Sequence, residues 1–371
     1  MSLIEANASI AGAGTHPSIE DRARRFTSAR RRFRRSTNKR LDLYDELSSL
    51  VDEHSLEEAL SVIRDGHTEE GRRPNRLIGL VCEAWIGQLS NTTPIAEVLQ
   101  GWSPDRERAL ISVGAETGLL QTVLATLVQT ERALAIVRSR ALEGVVEPAI
   151  TVILSWAMLS VYALVITAQF TGADFIIQSP YADLAKRYSA WMIAWGWWSL
   201  PTAAFGIGAL LIYLCRTWVG PARVAADRFW PFSLYKDLQA ADFLQNLTIL
   251  KLAGKDEEQA LFIMYQTAGR YLKWQIAAMR PHAASERLGD TLRLANRQFP
   301  DLTVNARIAT FCRDVKFPIY LQSITAAWNL RVETKLRRMG KIAAIAAQIL
   351  SGILSVIIVL LMIAISVPTH L

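Results

Sequence analysis

Cysteine is scarce in this 371-residue chain, which has three. Cys82, Cys215 and Cys312 lie far apart and form no C-x-x-C pair. That spacing argues against a disulfide framework or a cysteine zinc site and leaves three packing thiols. Histidine is thin as well, and His16, His54, His67, His282 and His370 include no H-E-x-x-H spacing. A phosphate loop is missing, because Gly254-Lys255 and Gly340-Lys341 lack the flanking residues of G-x-x-x-x-G-K-S/T. No G-x-S-x-G elbow occurs either. The usual hydrolase, metalloprotease and nucleotide-hydrolysing classes therefore have no residues to stand on. The chain reads as a non-enzyme with no cofactor and no metal site.

The most informative deficit is local. Charged residues make up 20% of the chain, yet none occurs from Pro148 to Ala173, from Tyr188 to Cys215, or from Ile342 to Leu371. A membrane-spanning helix needs about 20 apolar residues at a rise of 1.5 Å each, and all three runs exceed that length. A secretory signal is not expected, since the apolar run Ala8–Ala13 is short and precedes the basic residues.

Basic residues predict the orientation. Nineteen Lys and Arg precede the first run and twenty lie between the second and third, whereas the link between the first two runs holds only Lys186 and Arg187. Arg132, Arg138 and Arg140, then Arg216, Arg223 and Arg228, then Lys335, Arg337, Arg338 and Lys341 flank the runs. The positive-inside rule puts both polar regions in the cytoplasm, N-in and C-out, with Trp191, Trp195, Trp197 and Trp198 at the outer interface.

The polar regions read as helical bundles. Leu43, Leu47, Leu50, Leu56, Ala59, Leu60 and Ile63 recur at three- and four-residue steps. So do Leu119, Leu120, Val123, Leu124, Leu127 and Val128, and further on Phe243, Leu244, Leu247, Leu250 and Leu261. Strand-like alternation is absent. The expected fold is an all-α membrane protein with this order: a basic arm (1–40), a bundle (41–145), a span (146–170), a periplasmic link (171–189), a span (190–215), a second bundle (216–341), a span (342–367) and a periplasmic tail (368–371).

A shift of about 200 residues superposes the landmarks of the two halves, the expected mark of an internal duplication. Leu47 and Leu50 meet Leu247 and Leu250, Leu124 meets Ile324, and the first span meets the third. The repeated unit is a helical bundle followed by an outward-going span.

Three segments carry a resemblance to a known family. They are Leu43 to Leu50 with Ser55 to Leu60; Pro94 to Leu99; and Val113-Gly114-Ala115-Glu116-Thr117-Gly118-Leu119-Leu120 with Val123-Leu124. The last is similar to a signature written aGE-x-sG-x-L-x-x-v-L, with Ala115 interposed. The chain resembles the type II secretion system F family, the inner-membrane platform proteins of type IV pili and type II secretion machines, and most resembles a type IVb pilus member. The resemblance implies a multi-pass inner-membrane scaffold. Its partners would be a hexameric assembly ATPase, pilin or pseudopilin subunits, other inner-membrane assembly proteins and further copies of itself.

The signature also has a physical reading. Glycines at 114 and 118 permit a tight turn, and Glu116 is expected at the start of the following helix, where the macrodipole favours an acid. The family resemblance further implies a cation ligand or a bundle contact at Glu116, although a hard cation takes about 6–8 oxygens. The segment Arg22–Arg40 holds ten basic residues and no acid. Within it Arg24, Arg25, Arg30, Arg31, Arg32, Arg34 and Arg35 are the candidate partner-binding residues, for anionic lipid headgroups or an acidic protein surface. With only Phe26 and Phe33 interleaved there is no stacking platform for nucleic acid. A transporter subunit is the alternative function, but the charge-free runs hold no Asp, Glu, Lys or Arg, and Glu147 only abuts the first of them at its cytoplasmic entrance.

Overall fold

The computed structural model describes residues 19–89, 93–171, 180–283, 287–295 and 297–366. The first eighteen residues of the expected arm, residues 172–179 of the expected periplasmic link and the C-terminal tail lie outside them. Every regular element among the described residues is helical.

The chain divides into two compact units, residues 1–131 with 246–267, and residues 132–245 with 268–371. In the first unit the helices are α1 (Ile19–Arg35), α2 (Thr37–Leu50), α3 (Leu56–Thr68), α4 (Leu77–Leu89), the single turn α5 (Ile95–Val98) and α6 (Asp105–Glu116). They are followed by α7 (Leu120–Thr171), whose first turns belong here. Local sequence sets these boundaries. Ser55 accepts the Glu58 N–H at 3.3 Å while the Glu58 carboxylate accepts the Ser55 N–H at 3.0 Å, a reciprocal cap that starts α3. The two bonds hold the Glu58 carboxyl below its ordinary pKa. Leu43, Leu47, Ala59, Leu60 and Ile63 are all buried, so the helix-period stripe is the core face. Burial of each large aliphatic side chain contributes about 1.5–3 kcal/mol.

The second unit holds the rest of α7, then α8 (Pro180–Trp191), a π turn (Met192–Gly196), α9 (Trp197–Thr217) and α10 (Pro221–Ala226). Next come most of α11 (Phe232–Leu252), α13 (Arg270–Ala283), α14 (Leu288–Leu294), α15 (Leu302–Phe311) and α16 (Phe317–Ser366). The end of α11 and all of α12 (Glu257–Thr267) cluster with the first unit. Three helical stretches are long and apolar enough to cross a membrane: Pro148–Val165 in α7, Lys186–Thr217 through α8 and α9, and Phe317–Val356 in α16. Their large apolar side chains point outward, among them Ile153, Leu154, Phe205, Ile207, Ile349 and Ile353. That is the surface a helix presents to lipid.

The order of lengths recurs along the chain. Helices α2 to α7 run to 14, 13, 13, 4, 12 and 52 residues. Helices α11 to α16 run to 21, 11, 14, 7, 10 and 50.

Candidate interaction sites

The basic segment folds as α1, a helix with two unlike faces. Phe33 is fully buried and meets Trp85 and Trp102 edge-on, with centroids 5.8 and 6.4 Å away. Ala29 shares that face. Arg24, Arg25, Arg30, Arg31, Arg32, Arg34 and Arg35 are exposed, so all seven candidate partner-binding residues stand on one helix. Two are tied down by the bundle. Arg25 donates to the Asn75 side chain at 3.1 Å. Arg30 donates to the Gln100 carbonyl and lies across Gly101, whose φ of +77° and missing Cβ admit the guanidinium. Arg31, Arg32 and Arg35, with Thr27 and Ser28, line an open groove along the outer face.

Arg40, the last basic residue of the run, is buried instead. Its Nε and Nη2 donate to the two oxygens of Glu107 at 2.9 and 3.0 Å, and Tyr44 donates to the same carboxylate at 3.1 Å. Its Nη1 reaches the carbonyls of Phe33 and Arg34. One guanidinium thus ties the end of α1 to α2 and α6. Burial, with the Glu107 charge, pushes the Tyr44 phenol well above its ordinary pKa and keeps it a neutral donor.

At the family-like signature the structure corrects one expectation. Glu116 closes α6 rather than opening the next helix. The Leu119 N–H bonds back to the Gly114 carbonyl at 2.9 Å and the Gly118 N–H to Ala115 at 3.4 Å, with Gly118 at φ +70°. This is a glycine C-cap of the Schellman type, so the macrodipole opposes Glu116 instead of favouring it. Local partners offset this: the Ser112 hydroxyl lies 3.1 Å and the Lys255 ammonium 3.4 Å from its carboxylate. Among the described residues no three His, Cys, Asp or Glu side chains gather as a metal site. Gly114 is helical, and its missing Cβ makes room for Val123, which a Cβ would meet at 2.9 Å. Leu124 is buried in α7, while Leu119 is 39% exposed and departs from the expected stripe.

Lys255 is not alone in reaching this part of the unit from far along the chain. Arg106 donates to the Asn246 side chain at 2.7 Å and pairs with Glu131 at 2.8 Å, and α12 packs against α6. Sequence reading missed these residues because none belongs to a motif. Their partners lie too far along the chain for spacing to reveal them.

The second unit contains a buried cation of its own. Arg223, counted from sequence as a span-flanking charge, has no exposed surface. Its guanidinium sits among Phe232, Tyr271, Trp218 and Tyr235, 4.4, 5.1, 5.8 and 5.9 Å from their centroids. Nε lies 2.9 Å from Asp227, whose other oxygen accepts the Tyr271 hydroxyl at 2.7 Å. Burial raises the Asp227 carboxyl and the Tyr271 phenol above their ordinary pKa values. Aromatic faces supply cation–π attraction that partly replaces the lost water.

Within the apolar stretches, helices meet through small and polar groups. Ser155 and Ser351 hydrogen-bond at 2.8 Å, and Trp156 donates to the Gly196 carbonyl at 3.4 Å in the π turn. Val152, Trp156, Pro201, Ala204, Ala347 and Ser351 line an open apolar groove of about 350 Å³.

These features define a class: a helical, multi-span membrane protein whose conspicuous polar sites lock helices together. Residues 43–168 match the model of the family described as Type II secretion system (T2SS), protein F. It is also similar to the toxin coregulated pilus biosynthesis protein E of Vibrio cholerae serotype O1. The two are 20% identical over 251 residues, which cover 65% of this chain and 71% of that protein. Together with the three apolar helices, these matches fit a membrane protein of the pilus-biogenesis and secretion class and the bacterial inner membrane.

Proposed function

We propose that the chain is the inner-membrane platform of a type IV pilus, of the IVb kind, coupling a hexameric cytoplasmic assembly ATPase to the addition of pilin subunits. The observation that carries this reading is the family match over residues 43–168, which includes the Gly114–Leu124 signature. The name of the Vibrio protein supports a pilus over a secretion machine. The chain lies N-in and C-out, so that the segments 41–145 and 216–341 face the cytoplasm. The recurrent order of helix lengths supports their origin by duplication. The platform works as a homo-oligomer beside other inner-membrane assembly proteins. The arginine face of α1 is the ATPase contact, because it sets exposed positive charge on a helix fixed to the bundle by Phe33 and Arg40. Such a surface speeds and orients encounter with an acidic partner.

Co-purification from detergent with the ATPase encoded alongside it tests this reading. The intact protein is expected to retain the ATPase, and a variant with Arg24, Arg25, Arg31, Arg32, Arg34 and Arg35 changed to Gln is expected to lose it. Retention by both refutes the α1 assignment. Absence of binding by the intact protein at low salt refutes the ATPase coupling.

A further inference from the structure

Phe229 and Trp230 are 70% and 63% exposed in the connection between α10 and α11. Large aromatic side chains are seldom left so bare outside an interface. Two independent paths along the chain fix their height relative to the bilayer. The first runs from the end of α9 at Thr217, the last residue of the second apolar stretch. The six-residue α10 follows after three residues, and Arg223 is clamped among Trp218, Phe232 and Tyr271. The connection therefore cannot drift away from the end of the span. The second path comes through α16. Lys335 bonds the Ser233 hydroxyl at 2.7 Å and pairs with Asp237, and Trp328 donates to the Asp237 carbonyl at 3.1 Å. Lys335 stands seven residues before Ile342, where the charge-free run of α16 begins. That separation is about 10 Å of helix.

Both paths bring the start of α11 to the level at which two spans enter the membrane. Side chains suited to that level lie near the pair in the chain. Arg228 is exposed immediately before them in the chain, Arg216 is exposed at the end of α9, and Pro221, Ala222 and Ala225 are exposed on α10. Aromatic rings and arginines are the residues that headgroup regions prefer at span ends.

We infer that Phe229 and Trp230, flanked by Arg216 and Arg228, insert into the headgroup–acyl boundary of the leaflet in which the second span ends, with anionic lipid as the partner. This anchor holds the start of α11 against the bilayer surface. It needs only that the apolar stretches of α9 and α16 cross the membrane, so it stands or falls apart from the platform role.

The full chain, reconstituted in nanodiscs of phosphatidylcholine with a minority of phosphatidylglycerol, provides the test. Intact protein and Trp230→Phe are compared, and their emission difference isolates Trp230 among the other tryptophans. That difference is expected to be quenched by lipids brominated near the carbonyl end, less by lipids brominated near the terminal methyl, and weakly by aqueous acrylamide. Arg228→Gln is expected to reduce the shallow quenching in anionic discs and to leave it unchanged in pure phosphatidylcholine. A Trp230 signal quenched by acrylamide and untouched by brominated lipid overturns the inference. So does protection of Trp230 only in membranes that also contain the other assembly proteins, which would make the patch a protein interface.

Discussion

Replacing Glu107 by alanine strands a buried guanidinium, and the cost can be worked from the geometry. The Arg40 and Glu107 side chains are 4% and 6% exposed and joined by two hydrogen bonds. Unit charges about 4 Å apart attract by about 4 kcal/mol at an effective dielectric of about 20, before desolvation is counted. Without the carboxylate, Arg40 keeps only the carbonyls of Phe33 and Arg34 and a long contact to the Thr37 hydroxyl at 3.4 Å. Tyr44 loses its acceptor too. Breaking one side of a buried pair costs about 3–5 kcal/mol. At about 2–4 °C per kcal/mol, the apparent melting temperature of the full chain in detergent should fall by about 6–20 °C. Trypsin should cut faster at Arg34 and Arg35, because the same guanidinium fastens the end of α1. The paired replacement Arg40→Met with Glu107→Leu removes both charges and should recover most of the loss. A fall under about 2 °C for Glu107→Ala, or a double variant no better than the single one, would refute the reasoning.

Three further outcomes follow from the same structure. Gly114→Ala forces a Cβ to within 2.9 Å of Val123 and should cost about 1–3 kcal/mol in thermal unfolding, whereas the open space at Gly118 leaves only the strain of its positive φ. Asp227→Ala leaves Arg223 without its counter-ion and Tyr271 without its acceptor, for an expected loss of about 3–5 kcal/mol, with Asp227→Asn milder. Cys82 is buried, and desolvation with the Glu46 charge raises its thiol from 9.0 to about 12. A raised thiol favours the neutral form in the folded state, so this contribution is complete below pH 9 and is lost as pH rises towards 12. Tyr44 is raised as well and adds to the same alkaline loss. Melting temperature against pH should decline through that window, and thiol reagents at mildly alkaline pH should modify Cys82 only after unfolding. Rapid labelling of Cys82 in the folded protein would contradict its burial.

Some of this was legible before any coordinates. Helical class, three apolar stretches and the inward faces of Leu43, Leu47, Leu60, Leu124, Phe243 and Leu250 all follow from run length and a 3.6-residue period. Those are properties of neighbours in the chain. Gly118 is a further case, because a left-handed turn is a local demand that glycine meets most easily. Where local reading failed, the deciding partner was remote or the helix boundary lay elsewhere. Glu116 looked like the start of α7, but the bond from Leu119 to Gly114 closes α6 after it and reverses the dipole it feels.

Charge shows the division most sharply. Sequence determined how many arginines the chain has and that they crowd outside the apolar runs, because lipid excludes charge wherever the fold places it. Only the tertiary structure decided which of them meet water. Arg31 and Arg32 are exposed on α1, Arg40 is sealed against a carboxylate 67 residues away, and Arg223 is enclosed by rings from three segments. In the sequence these are equivalent cations. Burial separates them, because a guanidinium can leave water only where packing gathers acceptors and aromatic faces around it, and that gathering is set by contacts between distant segments.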